Sequence, residues 1–241
     1  MNKTILITGA SSGIGAACVK QAASNNLNII ATARNKNSLQ QLQNRYVNIQ
    51  IIAADISTDA GRNIIADAIK APVDYLLHNA AILDSPQELT KISLSDFRSN
   101  ISTNVEPIIF LTQKLINHLS STANSARILS VSSGAAKQAI AGIGNYCISK
   151  AAALMANEVL KVELQKYAIL VNDYFPGVVD TNMQKTLRTA KASTFPHATE
   201  FDNLKQQGEL SEPLNVAAHI LDVFINSNDS EFNQTEWKYH Q

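Results

Sequence analysis

The chain has 241 residues, of which 45% are hydrophobic and 17% charged, with nine Gly and six Pro, a composition that excludes disordered, collagen-like and disulfide-scaffold classes. Twenty Lys+Arg balance twenty Asp+Glu, and the scattered basic residues supply no positive field for a phosphate backbone, which argues against nucleic acid as a partner. The two cysteines, Cys18 and Cys147, lie far apart without metal-type spacing, so neither a disulfide framework nor a metal site is expected. The longest uncharged stretch, Thr4 to Val19, is 16 residues and contains a polar run. It is neither a membrane span nor a signal peptide, and a cytoplasmic protein without a membrane partner is the reading.

Short apolar, β-branched runs at Thr4–Thr8, Leu27–Ala33, Asn48–Ala53, Val73–His78, Arg127–Ser132 and Ile169–Phe175 predict buried strands. Helical patterns at Ile14–Ser24, Ser38–Arg45, Thr58–Ile69, Leu94–Leu119 and Asn145–Lys166 alternate with them. The repeated βα units predict an α/β fold, a single-domain doubly wound (Rossmann) parallel sheet with helices on both faces, over residues 1–241. Pro107 removes an amide inside the fourth crossover helix and predicts a kink beside Asn104. Residues 178–211 read as a long, partly helical excursion over a substrate. Ser211 is expected to cap a helix running to about Ile225, and Phe232–Tyr239 to form a last strand.

The first strand runs into Thr8-Gly9-Ala10-Ser11-Ser12-Gly13-Ile14-Gly15 and then a helix, where backbone amides and a positive helix terminus suit a pyrophosphate. Gly9 suits the tight turn, Gly13 the close approach of the ligand and Gly15 close helix–strand packing. The same residues satisfy G-x-S-x-G, the nucleophile elbow of serine hydrolases with Ser11 as nucleophile. That rival lacks an upstream strand–helix loop for the oxyanion hole, and nothing singles out a triad base among His78, His118, His197, His219 and His240. Arg34 closes the second strand nineteen residues after Gly15, with Ala33 at the candidate carboxylate position. A guanidinium there can donate paired charge-assisted hydrogen bonds to a 2′-phosphate, so NADP(H) is expected, with NAD(H) as the weaker alternative.

Tyr146 and Lys150 share one helix face at i, i+4 spacing, and a neighbouring ammonium stabilises a phenolate. Ser133 follows the fifth strand, thirteen residues before Tyr146, and Asn104 sits at the predicted kink. With these residues the chain resembles the short-chain dehydrogenase/reductase family over roughly residues 3–185. The carriers are Thr8–Gly15, His78–Ala81 as a variant of Asn-Asn-Ala-Gly, then Asn104, Ser133, Tyr146, Lys150, and Pro176-Gly177 followed by Thr181.

The resemblance implies that Tyr146 is the general acid, Ser133 hydrogen-bonds the substrate carbonyl, Lys150 holds the nicotinamide ribose and lowers the Tyr146 pKa, and Asn104 supports Lys150 through water. It implies cofactor contacts from Gly9, Ser11, Ser12, Gly13, Ile14 and Gly15 in the loop. Asp55 would meet the adenine, Asn79 and Ala80 would stand near the cofactor, Thr181 would meet the carboxamide, and Pro176, Gly177 and Val179 would flank it. His78 and Ala81 depart from the fourth-strand motif, and Ser12 holds a loop position that is basic in many NADP-preferring relatives. Residues 132–137 with Asn145-Tyr146-Cys147 are similar to the benzil reductase and sepiapterin reductase branch, although no Asp stands in 232–241 to anchor a pterin. A ketone or α-dicarbonyl, aromatic in that branch, is the expected small-molecule substrate. Ala141, Val179, Met183, Leu187 and Phe195 are candidates for an apolar pocket. A silent NADP-binding sensor and the Ser11 hydrolase stay open as alternatives. Apolar residues on more than one face of the two long crossover helices predict a homodimer or homotetramer.

Overall fold

Branched apolar runs form seven strands in the computed structural model, which describes residues 2–122 and 124–239. They are β1 (Thr4–Thr8), β2 (Asn28–Ala33), β3 (Ile49–Ala53), β4 (Tyr75–His78), β5 (Ala126–Val131), β6 (Ile169–Phe175) and β7 (Trp237–Lys238). All neighbours pair in parallel in the order β3-β2-β1-β4-β5-β6-β7. A sheet buried on both faces needs apolar residues at successive positions, and β1 meets this with five buried residues in a row.

The helices in chain order are α1 (Gly13–Ser24), α2 (Lys36–Arg45), α3 (Asp59–Ala68), α4 (Leu94–Asn104), α5 (Glu106–Leu119), α6 (Gly144–Glu163), α7 (Asn182–Arg188), α8 (Ala198–Gln206), α9 (Pro213–Asn226) and α10 (Asp229–Gln234). Strand alternation divides the core. Ile5, Ile7 and Tyr174 face a cluster built with Cys18 of α1 and Phe224 of α9. Leu6, Ile128 and Val171 face another built with Ile65 of α3 and Leu111 and Leu115 of α5. A third cluster joins Tyr146 and Ile143 of the α6 region to Leu187, Phe195 and Ala198 of the excursion.

Three expectations are corrected. The kinked helix over Leu94–Leu119 is two helices, divided at Val105, which ends α4 and begins α5. Pro107 lies in the first turn of α5, where a helix amide has no intrahelical partner to lose, so the ring starts a helix instead of bending one. Ser211 does not cap α9: Glu212 is its N-cap, and Ser211 instead forms a parallel bridge with Val179 that closes the base of the excursion. Phe232–Tyr239 is not one strand. The Asn228/Glu231 capping box folds Asp229–Gln234 into α10 and leaves Trp237–Lys238 as the strand. The excursion itself holds α7 and α8, and α6 ends in a 3₁₀ turn, Leu164–Tyr167.

Arg127 of β5 anchors the carboxyl-terminal helices to the sheet. Its guanidinium donates to the Phe224 and Ser227 carbonyls, each at 2.7 Å, and to Asp229 at 2.9 Å. Arg127→Ala would orphan two buried carbonyls, and we expect a loss of about 3 kcal/mol. A lower urea midpoint at unchanged slope checks this.

Candidate active site

The strand order reverses direction between β1 and β4, so the connections leave to opposite sides and their carboxyl ends lie uncovered. A cleft of about 950 Å³ opens there. The Thr8 hydroxyl ties its floor, donating to the Leu77 carbonyl at 3.2 Å and accepting the amides of Asn79 at 2.9 Å and Ala80 at 3.0 Å. Asn79 returns its side-chain amide to the carbonyls of Thr8 at 2.9 Å and Gly9 at 3.3 Å.

The glycine loop fits a diphosphate. Gly9 and Gly13 adopt φ of 65° and 52°, a region costly for other residues. A Cβ at Gly15 would lie 2.3 Å from the Gly9 carbonyl oxygen, so only glycine lets α1 start so close to the turn. Ser12, the N-cap of α1, makes no side-chain cap bond, and the first turn holds no acid, which leaves its amides available to an anion. Ser11, Ser12, Gly13 and Ile14 line the cleft, whereas Gly15 supports the loop from behind. Among the described residues, the hydrogen bonds recorded for the histidines go to partners other than Ser11. His78 bonds Thr112, His118 the Ala71 carbonyl, His197 Glu200 and His219 Tyr174; His240 lies outside the described residues.

At the far end of the cleft Arg34 is exposed at the tip of β2, near Asp55 after β3, and both line the wall. Burial acts upward on the Asp55 carboxyl, but the Ser57 hydroxyl and amide and the Arg34 cation outweigh it and hold it below the usual range. Asn79, Ala80, Pro176, Gly177, Val179 and Thr181 also line the cleft. Thr181 caps α7, accepting the Gln184 amide at 3.3 Å, and packs beside Gly13.

Ser133, Tyr146 and Lys150 meet where β5 ends. Ser133 begins a 3₁₀ turn and accepts the Ala135 amide at 3.2 Å. One turn of α6 separates Tyr146 from Lys150, whose Nζ donates to the Val131 carbonyl at 2.8 Å and stands 5.8 Å from the centre of the Tyr146 ring. Burial pushes the Tyr146 phenol up to about 12, against which the Ser133 hydroxyl acts. The phenol is therefore protonated at neutral pH. Burial also pulls the Lys150 ammonium down to about 8. Asn104 lies beneath this group as a clamp. Its oxygen accepts the Ile82 amide at 2.8 Å, and its nitrogen donates to the Ile82 carbonyl at 3.0 Å and to Ser149 at 2.9 Å. Its side chain thus acts on α6 through Ser149, one residue before Lys150.

Sequence reasoning missed Asp84. Its carboxylate accepts Asn100 of α4 and, at 2.9 Å, Asn145 of α6, the residue before Tyr146. Asn100 and Asn104, four apart on α4, were the available signal, because buried amides on one helix face need partners on another element.

The remaining end of the cleft is mostly apolar, with Leu83, Ile140, Ile143, Met183, Leu187 and Phe201 among its walls, and Gln138, Gln184, His197 and Glu200 also line the cleft. Val179, Met183 and Leu187 line it as expected, but Ala141 is exposed and Phe195 is fully buried. Phe195 packs edge-on against Phe201 at 5.4 Å and so backs the wall instead of forming it. Asp180 fastens the excursion by accepting Arg188 at 3.2 Å and Lys205 at 2.6 Å.

Comparison with known proteins agrees with this geometry. Residues 3–192 match the family model for short chain dehydrogenase. A benzil reductase ((S)-benzoin forming) from Bacillus cereus is 27% identical, covering 96% of each chain. A short chain dehydrogenase/reductase structure from Saccharomyces cerevisiae superimposes with a TM-score of 0.91 at 24% identity, over 100% of this chain and 97% of that one. A 3-ketoacyl-(acyl-carrier-protein) reductase from Brucella melitensis, complexed with NADH, gives a TM-score of 0.82 at 23% identity, over 98% and 94%. The chain belongs to the short-chain dehydrogenase family, whose members are oxidoreductases that bind nicotinamide cofactors.

Proposed function

We propose, with that membership as the premise, that the protein is an NADPH-dependent reductase that turns a ketone or α-dicarbonyl compound into an alcohol, with Tyr146 as general acid. One observation carries the reading: a phenol held protonated, with Ser133 and Lys150 beside it, on the floor of a cleft with one polar, glycine-lined end and one mostly apolar end. When bound, the nicotinamide supplies the hydride. Ser133 and Tyr146 supply two hydroxyls for one carbonyl oxygen, and Tyr146 gives its proton as negative charge develops there. Lys150 keeps a cation beside the phenolate left behind, and its ammonium would also hold the ribose. The glycine loop would hold the diphosphate, Thr181 the carboxamide and Asp55 the adenine.

Arg34, exposed where β2 ends in Ala33 and not in a carboxylate, supports the 2′-phosphate and hence NADP(H). The ionised Asp55 beside it offsets part of that charge, which keeps NAD(H) as the weaker alternative. Aliphatic walls with Phe201 suit a bulky, aryl-bearing carbonyl compound, in line with the benzil reductase among the relatives. Both cysteines are free thiols, consistent with the cytoplasm, and no helix among the described residues is long and apolar enough to cross a membrane. Ile109 and Phe110 on α5 and Met155, Val159 and Val162 on α6 are exposed, which supports a homodimer or homotetramer joined through these helices.

A panel of ketones and diketones with NADPH tests the reading. Tyr146→Phe should lower turnover by about a hundredfold or more while NADPH binding, followed by fluorescence, changes little; retained turnover excludes Tyr146 as the acid. NADPH should give the higher kcat/KM. Arg34→Ala should narrow that preference by roughly tenfold to a hundredfold, and equal losses with both cofactors would refute the role of Arg34. Light scattering at micromolar concentration should return a dimeric or tetrameric mass.

A further inference from the structure

A buried polar row crosses the sheet beneath the active site, and the chemistry above makes no use of it. His78 of β4, Ser130 of β5 and Asp173 of β6 are in-register neighbours, all buried, on the face covered by α5 and α6. One step earlier along the same face stand Leu76, Ile128 and Val171, as a buried sheet requires. His78 bonds Thr112 of α5 at 3.0 Å, and burial keeps it neutral, down at about 3. Ser130 donates to the side-chain oxygen of Asn157 at 3.2 Å, and Asn157 donates in turn to Oδ1 of Asp173 at 2.8 Å. Oδ2 of Asp173 is buried without a hydrogen-bond partner. A carboxylate left half satisfied in an apolar layer is costly unless a nearby charge compensates it.

That charge lies one rung further along the sheet. Val131, next after Ser130, pairs with Tyr174 and offers its carbonyl to Lys150 Nζ. About 3.3 Å of strand rise separates the two rungs. Tyr146, Lys150 and Asn157 recur at i, i+4 and i+11, on the face of α6 that meets the sheet. Among the charged groups around Asp173, Glu158 repels its carboxylate most strongly, and Lys150 and then Lys161 attract it, all three from α6; β4, α5 and β5 present His78, Thr112 and Ser130, none of them charged.

We propose that Asp173 is a positioning residue for the active site, the buried counter-charge of the Lys150 ammonium, held in place by Asn157 and Ser130. The inference deepens the reductase reading, since a charged Lys150 is what that reading asks to stand beside the phenolate. Burial alone lowers the Lys150 ammonium, and Asp173 acts against that loss. The cost falls on Asp173, whose carboxyl is pushed up to about 7 by burial. With its folded pKa above the unfolded one, the native state holds the extra proton between these values. Its contribution to stability is thus full at low pH and is lost as pH rises through about 7.

The test is a pH titration of the cofactor-free protein labelled with ¹³Cε-lysine, read by NMR, the Lys150 signal being identified by its loss in Lys150→Arg. In the wild type its deprotonation should centre near about 8. Asp173→Asn keeps an oxygen for Asn157 and removes the charge, so the midpoint should fall by about one pH unit or more. Thermal unfolding of that variant at pH 8 should occur no lower than in the wild type, and the alkaline limb of kcat/KM should move down with Lys150. Asp173→Ala serves the same titration should the Asn variant not fold. An unmoved Lys150 midpoint in a folded variant overturns the proposal. A moved midpoint without reduction of any carbonyl upholds it and overturns the reductase reading.

Discussion

The Thr8 hydroxyl joins the ends of two strands whose connections depart to opposite sides of the sheet. Without that tie the cleft would have no fixed floor, because β1 and β4 are the neighbours between which nothing packs above. The single hydroxyl uses its donor and two acceptor positions, and Asn79 doubles the tie through the backbone of Thr8 and Gly9. The glycine loop, the entry to α1 and the chain leading to Asn104 all take their positions from this junction. Function at the switch point therefore rests on backbone geometry before any catalytic side chain is considered.

The face of α6 that meets the sheet serves two demands that conflict. It must bury itself against β5 and β6, yet it carries Tyr146, Lys150 and Asn157, which need polar partners. The protein meets the conflict in three ways. Lys150 has a backbone carbonyl, Asn157 a hydroxyl and a carboxylate, and the first turn of the helix is fixed from the side by Asp84 through Asn145. Satisfied networks of this kind are strong in low dielectric and expensive when incomplete. Among the described residues, two buried side-chain oxygens are left without partners, Oδ1 of Asn145 in the first turn of α6 and Oδ2 of Asp173 on the strand beneath it, where a departure from packing rules is expected of a functional site.

Much of this was legible in the residues. The parallel sheet followed from β-branched runs too apolar to face water, and the meeting of Ser133, Tyr146 and Lys150 in one cleft from their spacing and the family resemblance. What was not legible depended on partners distant in sequence. Pro107 announces a disturbance, but whether it bends or begins a helix depends on how α4 and α5 pack, and the break came at Val105. Phe232 continues a strand-like pattern, yet it packs beneath Phe224 and below the Arg127 guanidinium, so a helix of six residues wins over a longer strand. Asp84 looks like an ordinary solvated acid until α4 and α6 are folded over it, and Asp173 stands in an expected buried strand whose polar partner, Asn157, lies on another element. Phe195 had the right character for a substrate wall and stands one layer too deep.

Asp180, seated between Arg188 and Lys205, divides the attachment of the excursion into two kinds of force. The half-buried Asp180–Arg188 pair and the more exposed Asp180–Lys205 pair weaken with salt, the second more than the first, whereas the burial of Phe195 and Leu187 does not. Electrolyte would thus loosen how α7 and α8 sit relative to each other without detaching them from Tyr146. The two attachments of the excursion answer to different variables, one to ionic strength and the other to the burial of apolar surface.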